Sequence, residues 1–556
     1  MKKLSMLFAI LTVFTLLLAA CGGEAEPSPE PQSGEATVES TAEAQTDLPP
    51  DPTEPPPSET PPPDPTDLPQ PLAGPVSYGP DLGDFGFGVN PLTGLPVADP
   101  ALLDLPAVLI SITNFPASAR PQAGLSFAPL IFEIYIGEGT TRFLVVFYGE
   151  MPAVMAQLTG SCPVRAELFD PAGTVLGNYA WLDVNANGVQ EPDEPGIPGL
   201  CVSLYDTAGT LLQATATDSN GFFGFNVDPQ GSYLIGFEPL EQLAFTSRDV
   251  GYDDLDSDAD PASGMTAEIS LSASDNTWDA GYVLLASSAT STETVTPVNL
   301  PPSEVGPVRS GRLPYRHITS YFPGGCLVFA SASANVLAQL PACSFAFGSD
   351  ADNINSALLD VTRMRQLAEA NRSPGQTFNY SGNLFDQDPP LGGTPASQVQ
   401  VLWSNANQAL FRYDALSGAY LRFENHPNTP QEFAPSTDRL TGRQLAFENV
   451  IFVFAVHNAV SETLIDINIG QGNLGRAYLM RDGQLFPIHW TTLNAAYETE
   501  TGLLRPMRFT DDAGDPVALK PGHTWVHVFT PGSALFERDP GSGLWTADFN
   551  APAIQQ

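Results

Sequence analysis

Asp183-Val184-Asn185-Ala186-Asn187-Gly188-Val189-Gln190-Glu191-Pro192-Asp193-Glu194 puts oxygen-bearing side chains at loop positions 1, 3, 5, 9 and 12, with glycine at position 6. That is the spacing of a calcium loop. Alternate side chains wrap the ion, the glycine makes the sharp turn, and the last glutamate binds through both oxygens. An EF-hand would flank the loop with helices, and these flanks are not helical. Leu200 to Leu212 alternates around a polar turn at Asp206–Gly209, and Gly221 to Ile235 is strand-like around Asp228-Pro229-Gln230-Gly231. The loop therefore joins strands of a β-sandwich.

Outward from the loop the pattern becomes specific. Gly177-Asn178-Tyr179-Ala180-Trp181-Leu182-Asp183, Glu194 to Gly199, Val202 to Asp206, Thr217-Asp218-Ser219-Asn220-Gly221 and the acidic run Asp253–Asp260 stand in order, ending at Asp279-Ala280-Gly281-Tyr282. Residues 177–284 thus resemble the calcium-binding B-type repeats of staphylococcal Sdr adhesins. The resemblance implies a structural Ca²⁺ that stiffens a spacer module. Its ligands would be Asp183, Asn185, Asn187, the carbonyl of Val189, and Glu194. Asp218, Asn220, Asp254, Asp256 and Asp258 are weaker candidates for further sites. So many carboxylates near only Arg165 and Arg248 would repel one another without cations. The segment has no lysine, which excludes the Lys–Asn crosslink of related collagen-adhesin modules.

On either side lies a second pattern. Val108 to Ile112 reads as a short buried strand, followed by Leu130 to Ile136 and by Thr140-Thr141-Arg142-Phe143 to Tyr148. After the sandwich comes Val305-Gly306-Pro307-Val308-Arg309-Ser310-Gly311-Arg312. Phe411 to Arg422 is a hairpin pattern, and Asn449 to Val456 is apolar on both faces and so should be a central strand. Gly470 to Trp490 adds strands around a turn, and Pro521 to Val528 closes the unit. Helices are expected at 354–370 and at 331–340. Together these motifs resemble the YerB-type lipoproteins, a family of unknown function. In that family the phrase at 141–147 runs within a few residues into the phrase at 305–310. About 150 residues therefore interrupt a hairpin here, which is tolerated if the ends stay close. The expected organisation is a mixed α+β, mainly β chain. An α/β-type domain at 85–152 plus 305–349 is split by the sandwich at 177–284, a linker spans 285–304, and a mostly β domain covers 396–540.

The N-terminus has Lys2 and Lys3, an apolar run from Leu4 to Leu18, then Leu18-Ala19-Ala20-Cys21. A basic start, a short greasy core and small residues at a cut site describe a signal peptide over 1–20. The final tetrapeptide resembles the lipobox of bacterial lipoprotein precursors, which implies a diacylglycerol on Cys21 and attachment to the outer face of a membrane. Residues 21–80 are rich in Pro, Glu, Asp, Thr and Ser, with no Lys or Arg. Such a segment buries too little apolar surface to fold and reads as a disordered stalk.

A net charge of −41 argues against nucleic acid as a partner. Lys520 is the only lysine beyond the signal, which removes Schiff-base, Ser–Lys and P-loop chemistry. Hydrolase and metalloprotease signatures are absent. His523 and His527 share one strand pattern, roughly 13 Å apart along it, too far to hold one ion. Cys162, Cys201, Cys326 and Cys343 allow three pairings, with Cys162–Cys201 and Cys326–Cys343 favoured by proximity. Glu133 and Glu138 could serve as an acid and a base, against a structural carboxylate paired with Arg142. Arginine carries the better signal, since its fork binds carboxylate or phosphate. Arg309, Arg312 and Arg316 crowd a short stretch with His317, Arg142 comes from the motif at 140–148, and Arg120 from Arg120-Pro121-Gln122-Ala123-Gly124-Leu125, part of the same resemblance. Arg120, Arg142, Arg309 and Arg312 are expected to line an anion-accepting cleft for a cell-wall polymer or peptide, against internal salt bridges. The first functional reading is a tethered binding or scaffolding protein. Its rival is an envelope hydrolase or transferase using Glu133 or Glu138.

Overall fold

Val108–Thr113, Asn449–Phe454 and Thr524–Phe529 are buried along their whole length. Strands apolar on both faces belong inside a sheet covered on both sides, and all three lie within one eleven-stranded sheet. The computed structural model describes residues 79–554, apart from 155–157, 192–193, 242, 286–302, 351–352, 374 and 427. The expected signal peptide, Cys21, nearly all of the stalk and most of the 285–304 linker lie outside the described residues.

The sheet runs in the order Ala342–Phe345, Cys326–Phe329, Val108–Thr113, Thr140–Phe147, Leu130–Gly137, Thr524–Phe529, Asn449–Phe454, Leu474–Arg481, Gln484–Thr491, Thr394–Pro395, with Arg508–Thr510 also beside Gln484–Thr491. Strands expected to form two bodies, at 85–152 plus 305–349 and at 396–540, thus pair into one. The join is parallel, with Phe132 opposite Val526. Thr524–Phe529, expected to close the second half, is instead the seam between the halves. A seven-stranded sheet built from Gln398–Ser404, Asn407–Asp414, Ala419–His426 and neighbours covers one face. Ile110, Phe143, Phe411 and Trp525 fill the space between the two sheets. This second sheet includes Leu544–Asp548, so the fold runs past the expected end at 540. On the other face Leu109, Phe132 and Ile451 pack under Ile318 and Phe322, from and just after the helix Tyr315–Ser320.

The expected helix at 354–370 begins later, as Val361–Asn371. Leu359 and Asp360 are held extended against Val305 and Glu304, and the Asp360 carboxylate then caps the helix by accepting from Arg363 N at 3.1 Å. The stretch at 331–340 yields one short turn of helix, Ala334–Leu337.

The insert is a sandwich of two four-stranded sheets, filled by Leu176, Ala180, Val202, Leu204, Phe223, Ile235 and Tyr282. Its first strand starts at Thr174, slightly before the expected 177. Val154 N donates to Ser303 Oγ at 3.0 Å, so the two chain crossings meet in a narrow neck. The insert does more than hang from that neck. Leu168 packs on Leu410, Leu421 and Phe423, on the outer face of the seven-stranded sheet. Cys162 is bonded to Cys201 and Cys326 to Cys343.

Candidate functional site

Asp183 follows directly on the strand Thr174–Leu182 and its side chain is buried in the loop it begins. Its carboxylate accepts from Gly188 N at 2.8 Å, Asn187 N at 3.2 Å and the Thr246 hydroxyl at 2.5 Å. Asn185 Oδ1 accepts from Asn187 N, and Asn187 Oδ1 from Val189 N. Glu194 folds back to accept from Val184 N at 2.7 Å. The loop thus draws these oxygens toward its own interior. Gly188 has φ +82°, and a Cβ there would stand 2.9 Å from Val250, so the turn requires glycine. Burial, reinforced by Glu191 and Asp183, pushes the Glu194 carboxyl up to about 7. Hard oxygen donors crowded until one resists ionisation fit a calcium ion.

A second acidic group stands beside the first. Val189 bridges Asp256, and oxygens of Asp249, Asp256 and Asp258 lie within 4.8 Å of one another. Asp254, one of the weaker candidates, is outside this group, and Asp249 takes its place. Asp258 is pushed up to about 7 by burial and then by Asp256, Asp253 and Asp249. Asp218 and Asn220 do not join it. Asp218 Oδ1 accepts from Asn220 N and Phe222 N, and Arg165 lies 3.5 Å from Oδ2. These two residues therefore shape a turn.

The scaffold arginines divide between the two faces of the large sheet. Arg142 is 4 % exposed, and its Nε and Nη1 have no hydrogen-bond partner among the described residues. Burial above all, then Arg312 and Arg309 against the opposing Tyr315, lowers its pKa to about 10. Arg309 donates to the carbonyl of Ile354 at 3.0 Å and Arg312 to that of Thr463 at 3.3 Å. Neither is ion-paired among the described residues. The Tyr315 hydroxyl, 2.9 Å from Ser111 Oγ, stands with them. Arg316 differs, since it and His317 both pair with Asp466.

Arg120 belongs to the opposite face, contrary to expectation. It contacts Glu424 at 3.2 Å and donates to Asn425 O and Asn114 Oδ1. Asn114 in turn donates to Thr141 Oγ1, and Thr141 and Arg142, as strand neighbours, point to opposite sides.

Glu133 lies on the Arg120 side, fully buried, and is not paired with Arg142. It accepts from the Thr141 hydroxyl at 2.7 Å and Trp525 Nε1 at 3.2 Å, with His527 Nδ1 also at 3.2 Å. Burial raises its pKa, but the bonds from His527 and Thr141 and the Arg422 charge outweigh that and hold it below the ordinary value. Glu138 is exposed in the hairpin turn with φ +53°. The two carboxylates therefore do not face one another. His527 is engaged by Glu133, while Glu448 accepts from the backbone N of His523, so these histidines do not converge either. The Glu133–Trp525–His527 contacts left no signal in the sequence, because their partners lie some 390 positions apart.

Comparison with known proteins defines the class. The description "SdrD B-like domain" matches residues 174–282, and the N- and C-terminal domains of a protein of unknown function, DUF3048, match 92–191 and 399–526. The chain therefore carries the two DUF3048 domains with an SdrD B-like domain inserted between them. Strand pairing places the break between Phe147 and Glu304, so the end of the 92–191 match overlaps the insert.

Among curated proteins the chain is similar to a fibrinogen-binding protein of Staphylococcus epidermidis, 41% identical over 85 residues, covering 15% of this chain and 8% of that protein. It is also similar to the serine-aspartate repeat-containing protein I of Staphylococcus saprophyticus, 44% identical over 72 residues, covering 13% and 4%. The chain thus spans less than a tenth of the length of these relatives. Among solved structures, the crystal structure of the YerB protein from Bacillus subtilis is similar at TM-score 0.42 and 16% identity, covering 79% of this chain and 95% of that one.

Proposed function

We propose that this chain is an extracytoplasmic binding protein, tethered through lipid on Cys21. Its scaffold takes an anionic group of a cell-wall polymer or peptide at Arg142, Arg309 and Arg312. The observation that carries this reading is Arg142, a buried guanidinium with two nitrogens unpartnered among the described residues and with Arg312 and Arg309 near enough to lower its pKa. Removing a cation from water without a partner is costly, and an arriving carboxylate or phosphate would offset that cost. Calcium in the Asp183–Glu194 loop would stiffen the insert. The insert's similarity to a protein named as fibrinogen-binding fits a binding role at the cell surface. No comparable observation favours a hydrolase or transferase, since Glu133 is sealed in the core and Glu138 sits on a turn.

The test is binding of purified anionic wall polymers to the full chain in detergent, compared with Arg142→Met. A loss of about tenfold or more is expected. Equal binding by the variant would overturn the reading.

A further inference from the structure

Ala342–Phe345 ends the eleven-stranded sheet, hydrogen-bonded to Cys326–Phe329 along one edge and with no strand along the other among the described residues. Soluble proteins usually defend such an edge with charge, a proline or a bulge that turns it away, because its free N–H and C=O groups recruit further strands. Here Pro341 precedes the strand and its register against Cys326–Phe329 shifts by one residue at Cys343, but no charge guards the stretch beyond. The run Ala342-Cys343-Ser344-Phe345-Ala346-Phe347 contains neither acid nor base. Phe347 is 72% exposed and Phe345 42%. Their rings stack at 6.1 Å, and Phe345 meets the buried Phe329 edge-on. The Cys326–Cys343 disulfide fastens the strand to its neighbour, so the edge is held in place without a partner.

The arginine group adjoins the carboxyl end of this edge. Phe329 is the register partner of Phe345, and the next residue, Ala330, donates its N–H to Arg309 O. The Arg309 guanidinium reaches the carbonyl of Ile354, a side chain that is itself 52% exposed. The open strand and its two stacked rings thus lie one strand out from Arg309, a cation without a carboxylate partner among the described residues.

We propose that the ligand of the arginine group is an extended peptide segment of a partner protein. It adds as a strand beside Ala342–Phe345, sets apolar side chains on Phe345 and Phe347, and presents an acidic side chain to Arg309. The proposal rests on the anion-binding reading above and narrows its ligand to a peptide. Strand addition draws affinity from main-chain hydrogen bonds and specificity from alternate side chains. Charge selects the occupant: a second copy pairing through this strand would bring no acid within it, whereas an acidic segment supplies what Arg309 lacks.

The probe is a short fluorescein-labelled peptide of alternating valine and threonine ending in aspartate, titrated against the full chain in detergent. Inorganic phosphate is titrated in parallel. The peptide should bind, and Phe347→Ser and Arg309→Gln should each weaken it by about tenfold. The same peptide N-methylated at alternate amides should not bind. Equal affinity of the methylated peptide, or of the Phe347→Ser variant, overturns strand addition. Phosphate binding that is lost in Arg142→Met, without peptide binding, overturns strand addition alone. Failure of both probes overturns both readings. Self-association that vanishes in Phe347→Ser, with no peptide binding, gives the edge to a second copy and also overturns the proposal.

Discussion

Arg142 and Arg120 show how much a single side chain's direction decides. Both come from motifs that look equally suited to an anion. Arg120 is ion-paired with Glu424 and bonded to Asn114 and Asn425, while Arg142 faces other cations. Sequence could mark both as arginines in a basic-poor chain. It could not assign the partner of Arg120, because Glu424 arrives from a strand 304 positions away. Replacing Arg142 with methionine removes a buried unpaired charge, so stability should rise by about 1 kcal/mol in denaturant unfolding while anion binding falls. A loss above about 2 kcal/mol would make Arg142 a structural residue.

Glu498 is the opposite case. Burial raises its pKa, but the Arg505 hydrogen bond and the Arg508 charge outweigh this and hold it near 2. A carboxyl lowered in the fold contributes stability above its unfolded pKa and loses it as pH falls through the folded value. Between about pH 4.5 and 2 the protein should therefore lose about 3 kcal/mol through this group. In Glu498→Gln, unfolding measured across that window should show a shallower decline.

At the scale of elements, legibility followed locality. The Asp183–Glu194 loop was readable because its oxygens lie within twelve positions of chain. Asp249, Asp256 and Asp258 converge only after the insert folds, so the acidic run 253–260 pointed to Asp254 and gave no sign of Asp249. Calcium should accordingly raise the melting point of the chelated protein. The gain should be about 3 kcal/mol at a hundredfold excess over the dissociation constant, and Asp183→Ala should remove most of it. Identical melting in calcium and in chelator would remove calcium from the account.

Strand identity was also local. The run at Asn449–Phe454 announced a central strand by being apolar on both faces, whereas no periodicity could tell that Thr524–Phe529 joins the two halves. The hairpin at Gly137 is similarly constrained from afar. With φ +108°, its would-be Cβ lies 1.9 Å from Glu462 O. Gly137→Ala should cost about 3 kcal/mol in equilibrium unfolding, and a loss below about 1 kcal/mol would mean the 462 loop yields easily.

For the whole molecule, the interruption was legible because two phrases that belong together stood far apart. That the two halves share a sheet was not, since pairing partners leave no mark on each other's sequence. The neck at Val154 and Ser303 brings the ends of the interruption together. Excising 155–302 and bridging with a short Gly/Ser linker should leave the scaffold folded within about 1 kcal/mol in a thermal melt. A molten scaffold would instead give the Leu168 contact a structural role.

The seam strand also sets an order of events during synthesis. Leu130–Gly137 must wait for Thr524–Phe529 before its outer edge is covered, and Val108–Thr113 must wait for Cys326–Phe329. All eight strands of the insert lie between Thr174 and Leu284. A chain synthesised from its N-terminus can thus complete the insert first, while strands made earlier stay exposed until the last tenth emerges. Pairings of such long range fold slowly and invite aggregation in the interval.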